Sequence, residues 1–254
     1  MVSLITVTYN AEKFLERTIR SIIGQTCREV EYIIVDGGST DGTLDIIRKY
    51  ENHVTRWVSE PDKGLYDAMN KGLRMAQGEF VWFMNAGDEL YDAHVLATLA
   101  QHQSVQDDVD VYYGDALFVD EAGKALGLRS EITPHRLPTH LTWRDLALGM
   151  VVCHQSFIVR RRIAPAYDPL THPYSADVDW EIKCLKHARR TVRLPGPLSR
   201  YLTGGFSRRN LRQSLLDRFG VLRSHFGLAG AVANHLRIAL RGAAFIARRG
   251  GKYW

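Results

Sequence analysis

YIIVDGGSTDGT, residues 32–43, is the stretch whose reading decides the fold. Tyr32–Val35 is a short aromatic and β-branched run with no polar alternation, the pattern of a strand buried on both faces. It stops at Asp36, passes through a Gly- and Ser-rich turn, and gives way to Leu44, Ile46 and Ile47 at helical spacing. The same unit recurs outward. Ser3–Thr8 (SLITVT) reads as a buried strand, followed by Phe14, Leu15, Ile19, Ile22 and Ile23 on one helical stripe ending at Gly24, with Asn10 available as its cap. Arg56–Ser59 reads as a third strand, Leu65–Ala76 as a helix closed off before Gly78, and Phe80–Met84 as a fourth strand ending at Asn85–Asp88. Strands alternating with helices predict an α/β fold with a mostly parallel central sheet flanked by helices. Right-handed crossovers then set the carboxyl ends of the strands along one edge, where ligands bind in open α/β sheets.

Past Asp108 the pattern loosens. Val111–Val119 and Ala125–Arg129 read as strands around a turn at Glu121–Gly123, Val151–Val159 as a strand, Asp177–His187 as a helix and Thr191–Leu194 as a short strand. Thr133–Leu148 shows no clear period. Arg208–Phe226 and Leu228–Arg248 read as helices. The expected organisation is one globular domain over residues 1–207 with a basic, helical C-terminal extension over 208–254.

Composition bounds the class. In 254 residues, 45% are hydrophobic and 24% charged, which excludes a disordered or fibrous chain. Cys27, Cys153 and Cys184 are widely spaced and fit neither a disulfide framework nor a zinc site, so a reducing, cytoplasmic setting is expected. The opening MVSLITVTYNAEKF has no basic leader and no long apolar segment, and no secretory signal is expected. No window reaches the roughly 18 apolar residues of a membrane span. The net charge is +5, yet from Arg208 onward ten basic residues face one acid, Asp217, so a slightly acidic body carries a basic extension. Such an extension suits an anionic surface, membrane or nucleic acid. On a helical wheel Leu228, Val232, Leu236, Ala239, Ala243 and Ile246 share one side, with Arg237, Arg241 and Arg248 opposite. The helix either docks on the body with a solvated face or lies on an anionic membrane, and the charge excess favours the membrane. Nothing in it resembles a DNA-reading helix, and no nucleic-acid partner is expected.

Four polar clusters follow the four strands: Thr8–Asn10, Asp36–Asp41, Glu60–Lys63 and Asn85–Asp88. Any one is ordinary turn chemistry. Four on one edge point to a ligand. Within them, Asp41 reads as a helix-entry cap, and Gly37 and Gly38 as answers to backbone torsion.

SLITVTYNAEKFLERTIRSIIGQT (3–26), YIIVDGGSTDGT, SEPDKGLYDAMNKGL (59–73) and GEFVWFMNAGDEL (78–90) together resemble the family-2 glycosyltransferases of the GT-A fold. The similarity is closest to the branch that builds bacterial surface polysaccharides and glycolipids. It is thinner from Val111 to Ser207, where CHQSF, ADVDW and GGFS carry it. The resemblance implies an inverting, hexosyltransferase-class enzyme that moves a sugar from a nucleotide-diphosphate sugar to a hydroxyl of a glycan or lipid-linked acceptor. It puts Thr8, Tyr9, Asp36, Asp62 and Lys63 in the nucleotide pocket, where Asp36 would accept from base or ribose and Lys63 would meet a phosphate. It puts Asn85-Ala86-Gly87-Asp88 where the family carries a metal-holding DXD motif. Asn85 is then a neutral donor, and Asp88 is the carboxylate for Mn2+ or Mg2+.

Inversion calls for a carboxylate that deprotonates the attacking hydroxyl. The resemblance gives that role to Asp177, with Asp179 as runner-up, although helix-start capping accounts for an Asp at either place. His154 lies near the family's acceptor side or is structural. Gly205 and Ser207 fall in a Gly-Gly-x-Ser segment that is either a flap over the donor or a plain turn. A dinucleotide-dependent oxidoreductase is disfavoured, because TVTYNAEKF has no glycine for the pyrophosphate turn. A sugar-nucleotide nucleotidyltransferase would need a glycine-rich basic entry loop that is missing. A non-catalytic nucleotide-sugar-binding relative stays open. The cell membrane's inner face is the expected place for a peripheral enzyme of this kind.

Overall fold

The computed structural model describes residues 1–205 and 210–249. Strand β1 (Val2–Thr8) is buried along its whole length. It pairs parallel with β2 (Val30–Asp36) on one side and β4 (Phe80–Phe83) on the other, and β3 (Arg56–Ser59) extends the sheet from β2. A strand covered on both faces feeds two cores, and β1 does so. Val2 and Leu4 join the layer of helix α1 (Leu15–Ile23), whose Leu15, Ile19 and Ile22 are buried. Ile5 and Val7 join the layer of α3 (Leu65–Met75), through Tyr66, Ala68 and Met69. Helix α2 (Thr43–Lys49) links β2 to β3 and buries Ile47. Asn10 does not cap α1. The helix starts later, with Phe14 at its cap position, and Asn10 takes a left-handed φ of 45° in the preceding loop.

The second half of the chain completes the sheet with β5 (Glu89–Leu90), β6 (Val111–Val119), β7 (Ala125–Leu128), β8 (Phe157–Arg160) and β9 (Thr191–Leu202). The order is β3-β2-β1-β4-β8-β6-β9-β5, with β7 on β6. β8 runs antiparallel to β4 and β6, while β9 runs parallel to β6, so the longest ladders are parallel. Three sequence expectations change here. The strand expected over 151–159 forms only from Phe157, because His154–Ser156 coils into a buried 3-10 turn. The strand expected over 191–194 runs on to Leu202 through Pro195 and Pro197, and its register against β6 shifts where the prolines interrupt the ladder. Helix α4 (Val95–Val105) has no sequence counterpart, since its buried residues crowd its first half and give little periodicity. After the short α5 (Arg129–Ile132), the stretch before Gly149 contains a 3-10 turn, Trp143–Leu148, closed by a Thr142–Asp145 capping box.

Helix α6 (Ala176–His187) buries Val178, Trp180, Ile182 and Cys184. The extension forms α7 (Leu211–Arg249), broken at Gly227, whose φ of 73° and ψ of 168° leave the helical region between the two expected helices. Val221, Leu222 and Ala231 of α7 are fully buried in the same core as Trp180. Trp143 stacks on Phe226 with centroids 5.2 Å apart. The extension is therefore docked on the body.

Candidate functional site

Parallel register levels the strand ends. Thr8 pairs with Asp36, and Asp36 with Ser59. The Met84 and Ala86 N–H groups reach the Ile5 and Val7 carbonyls, which brings the loop after β4 to the same edge. The first two loops are stitched together. Gly37 N–H donates to the Thr8 carbonyl (2.9 Å), Asn10 N–H to Ser39 Oγ (2.8 Å), and Thr40 N–H to Asn10 Oδ1 (2.9 Å). Asp41 closes the entry to α2 by accepting from Thr43 N–H (3.0 Å) and its hydroxyl (2.5 Å), and these bonds outweigh burial and hold its carboxyl below the usual range.

Asp36 is fully buried. Its Oδ2 accepts from Gly38 N–H (3.1 Å), Ser39 N–H (2.9 Å) and the Ser59 hydroxyl (2.6 Å), and its Oδ1 accepts from the Ser39 hydroxyl (2.5 Å). A carboxylate engaged by four donors of its own neighbourhood shapes the loop. Asp62, on the neighbouring loop, is only half-buried. Its Oδ1 takes Gly64 N–H (2.8 Å), and its Oδ2 stands over Gly37, where a Cβ would fall only 2.3 Å away. A Cβ at Gly37 would push the Asp62 carboxylate aside. The same Cβ would sit 3.4 Å from the exposed Tyr9 ring, so Tyr9, Gly37 and Asp62 form one lip of the edge. Thr8 Oγ1 is buried there without a hydrogen-bond partner, and Lys63 is exposed on the adjoining loop. Asp36→Ala should therefore destabilise the fold by about 3 kcal/mol, since several charge-assisted hydrogen bonds are lost at once. Asp62→Ala should cost only about 1 kcal/mol of stability, for the one bond to Gly64 N–H, and weaken nucleotide-diphosphate binding about tenfold. Urea melts and calorimetric titration separate the two outcomes.

Asp88 is buried, with Oδ1 accepting from Leu202 N–H at 2.8 Å. Burial pushes its carboxyl up to about 7. The Leu202 N–H, the Arg17 guanidinium and a hydrogen bond from the Gln155 side chain restrain that rise. Asn85, three residues back, accepts the Asp88 N–H on its carbonyl (2.9 Å), while its own Oδ1 is buried without a partner. Among the described residues no group of three or more His, Cys, Asp or Glu side chains is set to hold a metal. An orphaned amide oxygen beside one buried carboxylate nevertheless suits a hard divalent cation that draws its other ligands from phosphate and water.

Across the site, half-buried Asp177 lies in the first turn of α6 and accepts the Tyr66 hydroxyl on Oδ1 at 3.1 Å. Burial first, and then the Asp177 charge, drive the Tyr66 phenol far above its ordinary value, so Tyr66 remains a donor. Asp179 serves something else. It is buried, 2.7 Å from His225 Nε2 and 2.6 Å from Lys183 Nζ, and these bonds outweigh the burial that opposes its charge and keep its carboxyl low. Asp179 clasps α7 to α6. His154 is also interior. Its Nε2 lies 3.1 Å from the Tyr167 hydroxyl and its Nδ1 3.4 Å from Glu181, with Phe83 and Trp180 against the ring. Burial raises the Glu181 carboxyl to about 7. Gly205 is half-buried, and Ser207 lies outside the described residues.

Tyr66, Gln155, Glu181 and Tyr201 went unassigned in the sequence. Glu181 had a signal, since it falls four residues after Asp177, one helical turn along the same face. Tyr201 stacks at a tilt on Phe118 with centroids 4.9 Å apart, and burial pushes its hydroxyl up.

Comparison with known proteins bears on the family and the fold. The profile described as Glycosyl transferase family 2 matches residues 3–165. A "PGL/p-HBAD biosynthesis glycosyltransferase" of Mycobacterium bovis (strain BCG / Pasteur 1173P2) is 32% identical over 198 residues, covering 76% of this chain and 73% of that protein. In fold, the chain is similar to S. aureus TarS 1–349 solved with UDP-GlcNAc, with a TM-score of 0.69 at 19% identity over 98% of this chain and 74% of that one. It is also similar to the mannosyltransferase PcManGT of Pyrobaculum calidifontis solved with GDP-Man and Mn2+, with a TM-score of 0.62 at 17% identity over 97% and 78%. With its sheet edge, its strand-end loops and this match over most of its length, the chain belongs to glycosyl transferase family 2.

Proposed function

We propose that this glycosyltransferase moves a hexosyl group, with inversion, from a nucleotide-diphosphate sugar to a hydroxyl of a glycan or lipid-linked acceptor. The setting is cell-surface polysaccharide or glycolipid synthesis at the inner face of the membrane. The observation that carries this reading is the in-register edge that lines up Thr8, Asp36 and Ser59 and brings Tyr9 and Asp62 against Gly37. Tyr9 flanks the base, Asp62 accepts from base or ribose, and Lys63 meets the diphosphate. Asp88 and the Asn85 amide oxygen would hold Mn2+ or Mg2+, which when bound supplies charge compensation for the diphosphate leaving group. Asp177 takes the proton from the acceptor hydroxyl as that oxygen attacks the anomeric carbon. The mycobacterial relative, a PGL/p-HBAD biosynthesis glycosyltransferase, and the neighbours solved with UDP-GlcNAc and GDP-Man support this choice of reaction.

A thermal-shift panel of UDP, GDP, CDP and dTDP with Mn2+ tests it. One nucleotide should raise the melting temperature in a concentration-dependent way. Silence across the panel would refute a nucleotide-diphosphate site. Tyr66 offers a second check. It holds the Asp177 carboxylate from α3, the helix that follows the Asp62–Lys63 loop. Tyr66→Phe keeps the ring stacked on Tyr167. It should lower kcat about tenfold, the worth of one charged hydrogen bond, and leave nucleotide affinity unchanged.

A further inference from the structure

Helix α7 docks on the body through Val221, Leu222 and Ala231 and carries a second, outward apolar row in its last half. Past Gly227, Ala231 and Asn234 are buried, the His235 ring packs on Phe219 at 5.0 Å, and Arg241 donates to the Leu148 carbonyl at 2.8 Å. The opposite arc carries Leu228 (57% exposed), Val232 (55%), Leu236 (62%) and Leu240 (62%), one turn apart along a single side. Arg237 and Arg248 are exposed at the border of that arc. No acid occurs after Asp217, and Asp217 is engaged by His172 Nδ1 (2.9 Å) and Tyr174 N–H (2.8 Å).

An amphipathic helix normally buries its apolar stripe in its own protein, so this stripe has an external counterpart. Charge complementarity selects it. A second copy placed face to face would set the same arginines against each other across a two-fold contact. An anionic bilayer interface offers acyl chains to Leu and Val and phosphates to Arg. We infer that the outward row Leu228–Val232–Leu236–Leu240, with Arg237 and Arg248 beside it, docks flat on an anionic lipid surface. No described helix is long and apolar enough to cross a membrane, so the contact is one of lying on the surface. It extends the proposed membrane-side location and does not depend on the sugar chemistry. Because α7 is clasped to α6 by Asp179 and His225, docking would hold Asp177 at a set distance from the lipid.

Truncation at Gly227 is a poor test, since it would also remove the buried Ala231 and Arg241 contacts. The full chain and its Leu236→Glu/Leu240→Glu variant should instead be co-sedimented with phosphatidylcholine vesicles with and without phosphatidylglycerol. The wild-type chain should bind the anionic vesicles in a salt-sensitive manner. The variant should bind on the order of 100-fold more weakly, with an unchanged thermal melt, because both positions are exposed. The inference is overturned if the wild-type chain ignores anionic vesicles or if the variant binds them equally. It is also overturned if the wild-type chain is a dimer by sedimentation velocity that the variant dissolves without any vesicle binding, which would make the row a self-interface.

Discussion

Asp177→Asn should leave nucleotide-sugar affinity nearly unchanged and depress turnover by about 10²–10⁴-fold, the reach of general-base catalysis. Asparagine keeps the volume and still accepts the Tyr66 hydroxyl that now reaches Asp177 at 3.1 Å, but it cannot take a proton. The proposed donor contacts lie on the strand-end loops rather than on α6, so binding and turnover should separate. Asp179→Asn supplies the contrast. That carboxylate lies between His225 and Lys183, and removing one member of a buried ion pair costs about 3–5 kcal/mol. The Asp179 variant should melt early and, while folded, turn over. The opposite outcome, an active Asp177 variant and a stable but inactive Asp179 variant, would transfer the base to Asp179. Calorimetry, thermal melts and nucleoside-diphosphate release, run on both proteins, discriminate the cases.

Asp88→Asn should abolish manganese-stimulated nucleotide binding and at the same time make the ligand-free protein more stable in mild alkali. The sign follows from burial. The Asp88 carboxyl rises from 3.8 to about 7 on folding. Between about pH 4 and pH 7 the folded state therefore holds the proton that the unfolded chain releases. Stability falls as pH rises through that window, by about 4 kcal/mol at most for one such group. Asparagine never ionises and escapes the loss. Urea melts at pH 5 and pH 8 should show the variant's advantage over the wild type growing from the lower pH to the higher. Part of the decline should remain, because Glu181 is raised to about 7 by the same burial. An unchanged pH dependence, or metal-stimulated binding that survives the substitution, would remove Asp88 from the proposed site.

The strands at the centre of the sheet were legible because their sequences are uninterrupted apolar runs, and β3 and β6 fall where the residues predict them. The misread elements share a cause, in that backbone demand overrides pattern. His154–Ser156 coils where an apolar run suggested strand, and β9 continues through two prolines by shifting register. In the site, residue type was readable but hydrogen-bond partners were not. Asp36 and Asp62 both look like exposed loop acids in the sequence. Only the fold shows four donors on Asp36 and the carboxylate of Asp62 in the space beside Gly37. The wheel grouped the apolar row of the extension but set Arg237 and Arg248 opposite it, whereas both are exposed at its border and only Arg241 reaches the body. Which face docks was decided by the partners that the body provides, such as the Leu148 carbonyl for Arg241 and Asp179 for His225.

The central claim is one direct displacement with Asp177 as base. The anomeric configuration of the product tests it most directly. Given an α-linked nucleotide-diphosphate sugar and a hydroxyl acceptor, proton NMR of the freshly formed glycoside should show the β configuration, because a hydroxyl that attacks opposite the leaving diphosphate inverts the centre. An α-configured product, observed before any equilibration, would contradict the account.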